Sequence, residues 1–206
     1  MNSLFKFALF TIIIAMLLAT VTQATIIQVI VLSSLILLLF LSKKDVNSQL
    51  LTLIFASIFV AETCLVIVLK YMVLPATDSY FEENIYLFGT QLIVSLSLLL
   101  LLRSRMTVSV LITRGKSAPV FEKNHAEGPL LFLVLLMVFI DFCALAETLI
   151  RNLEVFGIKE ELAKAFWELT FFFDYFEYLK AVPMLLCVMM LYVGLIVRTK
   201  SHQLQS

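Results

Sequence analysis

Charge is scarce in this sequence: 15 basic and 15 acidic residues stand among 206, against a hydrophobic share of 62% and a mean hydropathy of +1.04. So little polar surface cannot cover a water-soluble core, which excludes a soluble globular domain and leaves an integral membrane protein. Short segments of alternating polarity are missing too, so a β-barrel is not expected and the fold class is all-α, a polytopic transmembrane helix bundle. The two signs of charge balance to zero, which argues against nucleic acid as a partner. Cysteine is limited to Cys64, Cys143 and Cys187, none in a C-x-x-C pair; no disulfide, metal cage or redox dithiol is expected, and the three read as small buried hydrophobes. A phosphate-binding glycine loop, H-E-x-x-H and G-x-S-x-G are absent, and His125 has no ligand-type neighbour at useful spacing. These gaps point away from an enzyme and give no reason to expect a cofactor or a metal.

Long apolar runs are what the chain does have. A helix needs about 20 such residues to cross about 30 Å of hydrocarbon. Spans are expected over about 50–74, 85–102, 130–150 and 175–197. Residues 7–42 carry no charge, and as one helix they would reach about 54 Å, so two short spans over about 7–23 and 26–42 fit better. The chain then forms a single membrane domain, 1–206, with six spans, or five if the first run is one helix. A cleaved signal peptide is another reading of the start, since Lys6, an apolar stretch and Ala24 resemble its layout, although the small-x-small cleavage pattern is poor.

Basic residues near span ends set orientation. With both termini cytoplasmic, the inner side holds Lys6, Lys43, Lys44, Arg103, Arg105, Arg114, Lys116, Lys123, Arg198 and Lys200. Acidic residues lean to the outer side and would concentrate cations there. A bacterial inner or plasma membrane is the expected location, with the lipid bilayer as the first partner. The cytoplasmic connection 103–128 reads as an anchor on anionic headgroups. Alternatively, Arg103, Arg105, Arg114, Lys116 and Lys123 dock a cytosolic protein partner. On the outer side, 159–178 mixes charge with aromatic side chains and reads as an amphipathic interfacial helix feeding the last span.

Counting inward from the cytoplasmic end of each apolar run places Glu62, Gln91 and Asp141 about 16 to 18 Å deep, in one midplane layer drawn from three spans. The i±3 and i±4 neighbours of Glu62 and Asp141 are uncharged, so neither carboxylate is compensated within its own helix. A charge at that depth costs at least about 2.5 to 3.5 kcal/mol; each group is therefore protonated, paired across helices or facing water. Ser57 and Ala61, beside Glu62, form a small-residue stripe that points Glu62 into protein. A second, outer layer is expected from Lys70, Glu147, Arg151, Glu177 and Lys180, neutralised locally by Glu147 with Arg151 and Glu177 with Lys180. The sequences AETCL and AETLI, around Glu62 and Glu147, hint at two parallel repeats.

Two functional readings follow. In the first, the protein is a small cation or proton channel or transporter, a homo-oligomer, with Glu62, Gln91 and Asp141 along the ion pathway. In the second, it is a membrane sensor or anchor subunit that signals to a cytosolic protein, for example in a bacterial defence module. A plainer alternative to both is that the midplane carboxyls hydrogen-bond polar neighbours and hold the bundle together.

Overall fold

Residues 24–113 and 124–205 are described by a computed structural model, and among them the fold is helical, without strands. The elements are α1 (Ala24–Leu41), α2 (Val46–Val68), α3 (Tyr80–Arg103), α4 (Arg105–Thr113), α5 (Glu127–Arg151), α6 (Glu160–Ala163) and α7 (Phe171–Gln205). Four stretches are long and apolar enough to cross a membrane: Val46–Ala76, Tyr80–Arg103, Glu127–Arg151 and Glu161–Thr199. α1 is as apolar but shorter. The expected first span, 7–23, lies outside the described residues, as do Arg114, Lys116 and Lys123.

Three of these helices begin several residues before their apolar runs, because polar side chains cap two of them and order the turn before the third. Asp45 accepts the Asn47 N–H at 3.3 Å and starts α2; Ser79 accepts the Phe81 N–H at 3.3 Å and starts α3. Ahead of α5, the Asn124 side chain accepts the Ala126 N–H at 3.1 Å while the Glu127 carboxylate accepts the Asn124 N–H at 2.8 Å. That reciprocal pair orders the turn leading into α5, whose own N-cap is Ala126.

The segment 159–178 departs from the single interfacial helix expected of it. It holds a four-residue helix, α6, then a 3₁₀ turn at Lys164–Phe166, and a fresh helix start at Phe171. Gly157, at φ 80°, provides the left-handed turn that ends the preceding Leu153–Phe156 segment.

Neighbours alternate in direction, and α1, α2, α3, α5 and α7 close into a ring in that order, with α7 returning to α1 and also touching α2. All chain connections therefore gather at two ends. Among the described residues, one end, the acidic end, carries 69–79 and 152–170; the other, the basic end, carries 42–45, 104–113, 124–126 and the region of Arg198. Between them lies an apolar core built from Val31 and Leu35 of α1, Leu51 and Phe55 of α2, Leu98 of α3, Val134 and Met137 of α5, and Cys187 and Leu191 of α7.

At the basic end the chain before α5 presses against α7 at Gly194. A Cβ there would stand 2.8 Å from the Ala126 Cβ and 3.2 Å from the Asn124 Oδ1, a separation real side chains do not tolerate. Only glycine permits this approach.

Candidate functional site

Four helices converge on one ammonium group. Lys180 of α7 places its Nζ 3.1 Å from Asp141 Oδ1 and 3.3 Å from Asp141 Oδ2 on α5, and 3.5 Å from Glu62 Oε1 on α2; it also donates to Gln91 Oε1 on α3. Ser95, one turn beyond Gln91 on the same face of α3, donates its hydroxyl to Asp141 Oδ2. Glu62, Lys180, Ser95 and Asp141 are buried, Asp141 completely at 0% exposure.

Glu62, Gln91 and Asp141 thus meet, as their equal depth suggested, but around a cation that the depth count assigned elsewhere. Lys180 belongs to this cluster and not to an outer layer, and its partners lie on other helices; Glu177, three residues away, is exposed at the rim of the adjoining cavity. The reason is energetic. An ion pair within one exposed helix turn is worth a few tenths of a kcal/mol, whereas a buried carboxylate left without a counter-ion costs several.

The other outer-layer residues separate as well. The Glu147 carboxylate accepts the backbone N–H groups of Phe172 and Phe173, each at 2.9 Å, so it caps the start of α7 from a neighbouring helix. Two orphan donors and the positive end of a helix dipole satisfy it in place of Arg151. The Arg151 guanidinium instead lies over the Phe173 ring, 5.0 Å from its centre. Lys70 is exposed in the Leu69–Val73 turn, apart from both networks. Glu62 and Glu147, linked by the AET repeat, therefore do different work.

Counting charge gives the cluster its chemical character. One ammonium faces two carboxylates, which leaves one negative charge uncompensated when all three ionise. Lys180 has three N–H donors and already meets Gln91, Asp141 and Glu62, so the surplus lies on the carboxylates. In a medium of low dielectric such a surplus attracts a proton or another cation.

A cavity of ≈ 350 Å³ adjoins the cluster on the acidic-end side. It lies between α1, α2, α3 and α7, and Glu62, Gln91 and Lys180 form its charged and polar floor. Asp141 is absent from its lining and sits behind Lys180. The two carboxylates consequently differ: Glu62 is reachable from the cavity, and Asp141 is the sealed counter-ion.

A second buried network closes the basic end. Arg198 Nε donates to Asp45 Oδ2 at 2.7 Å, and the Ser48 hydroxyl donates to the same oxygen at 2.6 Å. Arg105 Nη1 bonds Asn47 Oδ1 at 2.6 Å and pairs with Glu127 Oε1 at 2.7 Å. Burial pushes the Asp45 carboxyl up, but the hydrogen bonds from Arg198 and Ser48, the Arg198 charge and the Asn47 N–H outweigh it and hold the group below its usual range. Arg105, expected to face a cytosolic partner, is buried at 3% exposure and occupied within the bundle. Of the two described residues in that basic set, Arg103 is the exposed one.

No family model, curated protein or solved structure matches this chain.

Proposed function

We propose that this protein is a small membrane transporter that binds a proton or cation at Glu62 and carries it across the bundle. The observation that carries the reading is the buried Lys180, Glu62 and Asp141 cluster, which is one positive charge short of neutrality when all three groups ionise and reaches the floor of a cavity through Glu62 and Lys180. With the termini cytoplasmic, that cavity faces the outer, acidic side, where Asp78, Glu82, Glu83 and Glu154 would enrich cations.

A carrier suits the arrangement better than an open channel. Toward the basic end, the apolar core and then the Asp45, Arg198 and Arg105 network follow the cluster, so the ion site is reached from one side. One chain supplies every member of the cluster, and the reading does not depend on a homo-oligomer.

The test is reconstitution into liposomes that enclose a pH-sensitive dye, with an imposed cation or proton gradient. Glu62→Gln should abolish or reshape the flux while assembly survives, and unchanged flux in that variant would overturn the proposal. Neutralising Arg103, Arg114, Lys116 and Lys123 together, which spares Arg105 and the Asn124–Glu127 turn that the bundle uses, should leave flux intact; loss of function from that change alone would favour a sensor or anchor subunit.

A further inference from the structure

The volume, walls and charge of the cavity say more than that it admits a cation. We propose that its occupant is a small monovalent organic cation, an alkyl- or arylammonium whose charged head rests beside Glu62 and whose hydrocarbon part lies against the aromatic wall. This rests on the reading of Glu62 as a carboxylate in need of a positive charge.

Size separates an organic from an inorganic ion. A water molecule occupies about 30 Å³ of liquid, so a bare ion in ≈ 350 Å³ would need roughly ten waters beside it. The walls offer little to hold so much water: Leu87, Phe88, Phe173, Phe176 and Met184 make up much of them, with Gln28 and Asn84 as the polar interruptions. A volume of this order is that of a small-molecule site, in which apolar surface supplies affinity and a few polar groups fix orientation.

Aromatic geometry favours a cationic head. Phe88 meets Phe176 edge to face, with centroids 4.8 Å apart and planes at 72°, and meets Phe173 in the same manner at 6.0 Å. Rings set at steep angles turn faces in several directions, and a ring face attracts a cation. The Lys180 ammonium already lies 5.7 Å from the Phe176 ring centre, so a positive charge is accommodated at this level of the bundle. An anionic ligand finds no such welcome, because the Lys180 ammonium is already shared among Gln91, Asp141 and Glu62, and the ionised cluster as a whole carries surplus negative charge. Glu177 at the rim adds attraction of the same sign.

Isothermal titration of the full chain in lipid nanodiscs, with empty nanodiscs as blank, decides the matter. Four probes are compared: benzyltrimethylammonium, benzyl alcohol, benzoate and sodium ion. Benzyltrimethylammonium should bind once per chain and at least tenfold more tightly than the other three. Glu62→Gln should weaken it at least tenfold. Phe88→Leu keeps an apolar wall and removes a ring face; it should weaken the ammonium about fivefold and spare benzyl alcohol, which keeps the question open to refutation should Glu62→Gln fail to fold. Equal binding of ammonium and alcohol, tighter binding of sodium, or ammonium affinity unmoved in both variants would overturn the inference. Proton flux that depends on Glu62 without ammonium binding would overturn this inference alone, whereas ammonium binding without flux of any ion would uphold the site and overturn the transport reading.

Discussion

Removing the Lys180 ammonium is the sharpest challenge to the charge count. In Lys180→Met the side chain keeps its reach and apolar stem, so the change isolates the charge. At 3.1 and 3.5 Å, with an effective dielectric of about 20, each Lys180–carboxylate attraction is on the order of 5 kcal/mol before desolvation is subtracted. Desolvation offsets most of that in the intact cluster, but it is not refunded when one partner is deleted and the carboxylates stay behind. Lys180→Met should therefore cost about 3 to 5 kcal/mol of stability. Glu62→Gln works in the opposite sense, since it removes the surplus charge and leaves Lys180 paired with Asp141; it should stay within about 1 kcal/mol of the parent. Adding Asp141→Asn to Lys180→Met should restore part of the loss, because the sealed carboxylate is then neutral and Glu62 can take water from the cavity. Equilibrium unfolding in mixed detergent micelles measures all three. A Glu62→Gln variant as unstable as Lys180→Met would refute the surplus negative charge, and with it the reason for calling Glu62 exchangeable.

Three further expectations rest on other parts of the bundle. Gly194→Ala forces a methyl into a 2.8 Å gap at Ala126 and should lower stability by about 1 to 3 kcal/mol in the same unfolding assay. Glu147→Ala strips the cap from α7 and leaves the Phe172 and Phe173 N–H groups without their acceptor; a loss of about 1 to 2 kcal/mol and faster amide exchange at those two positions should follow. Asp45 has a lowered pKa in the fold, so its contribution is complete above its unfolded value of about 3.9 and disappears as pH falls below that toward the lowered value. Unfolding midpoints of the parent should drop in that acidic window, and those of Asp45→Asn should be lower at neutral pH and drop less there.

The helical class and the meeting of Glu62, Gln91 and Asp141 were legible because a buried carboxylate in an apolar helix has few exits, and equal depth brings those exits together. Lys180 escaped because depth was measured from the first apolar residue of each run, Leu50 for the second helix and Val197 for the last. Those are not physical boundaries. Measured from Asp45 and Arg198, which bond one another at 2.7 Å, Glu62 and Lys180 lie 17 and 18 residues away, both roughly 25 Å along their helices. Asp45 is a capping signal that sequence shows, whereas its pairing with Arg198, the origin that places the lysine, is a contact between distant helices that sequence does not show. The fate of Arg105 is hidden in the sequence for a different reason. A loop arginine counts toward the basic side whether its guanidinium faces lipid headgroups, a partner or Asn47 and Glu127, and composition does not distinguish these fates.

The two networks divide the bundle into a frame and a wall. α2 contributes Asn47 and Ser48 at the basic end and Glu62 in the cluster; α5 contributes Glu127 and Asp141; α7 contributes Arg198 and Lys180. Each of the three is therefore fixed by charged or polar contacts at two heights, about 20 to 27 Å apart by helical rise. α3 enters the cluster through the neutral side chains of Gln91 and Ser95, and α1 meets the rest of the bundle through residues such as Ile27, Val31 and Leu35. Displacing a helix held by apolar contacts and neutral hydrogen bonds exposes no unpaired buried charge, whereas displacing α2, α5 or α7 does. The cavity lies where α1 and α3 face α2 and α7. On the carrier reading proposed above, the frame would hold the ion-binding charges at fixed spacing, and α1, which meets the frame through apolar side chains, is the helix whose displacement would cost least in buried charge.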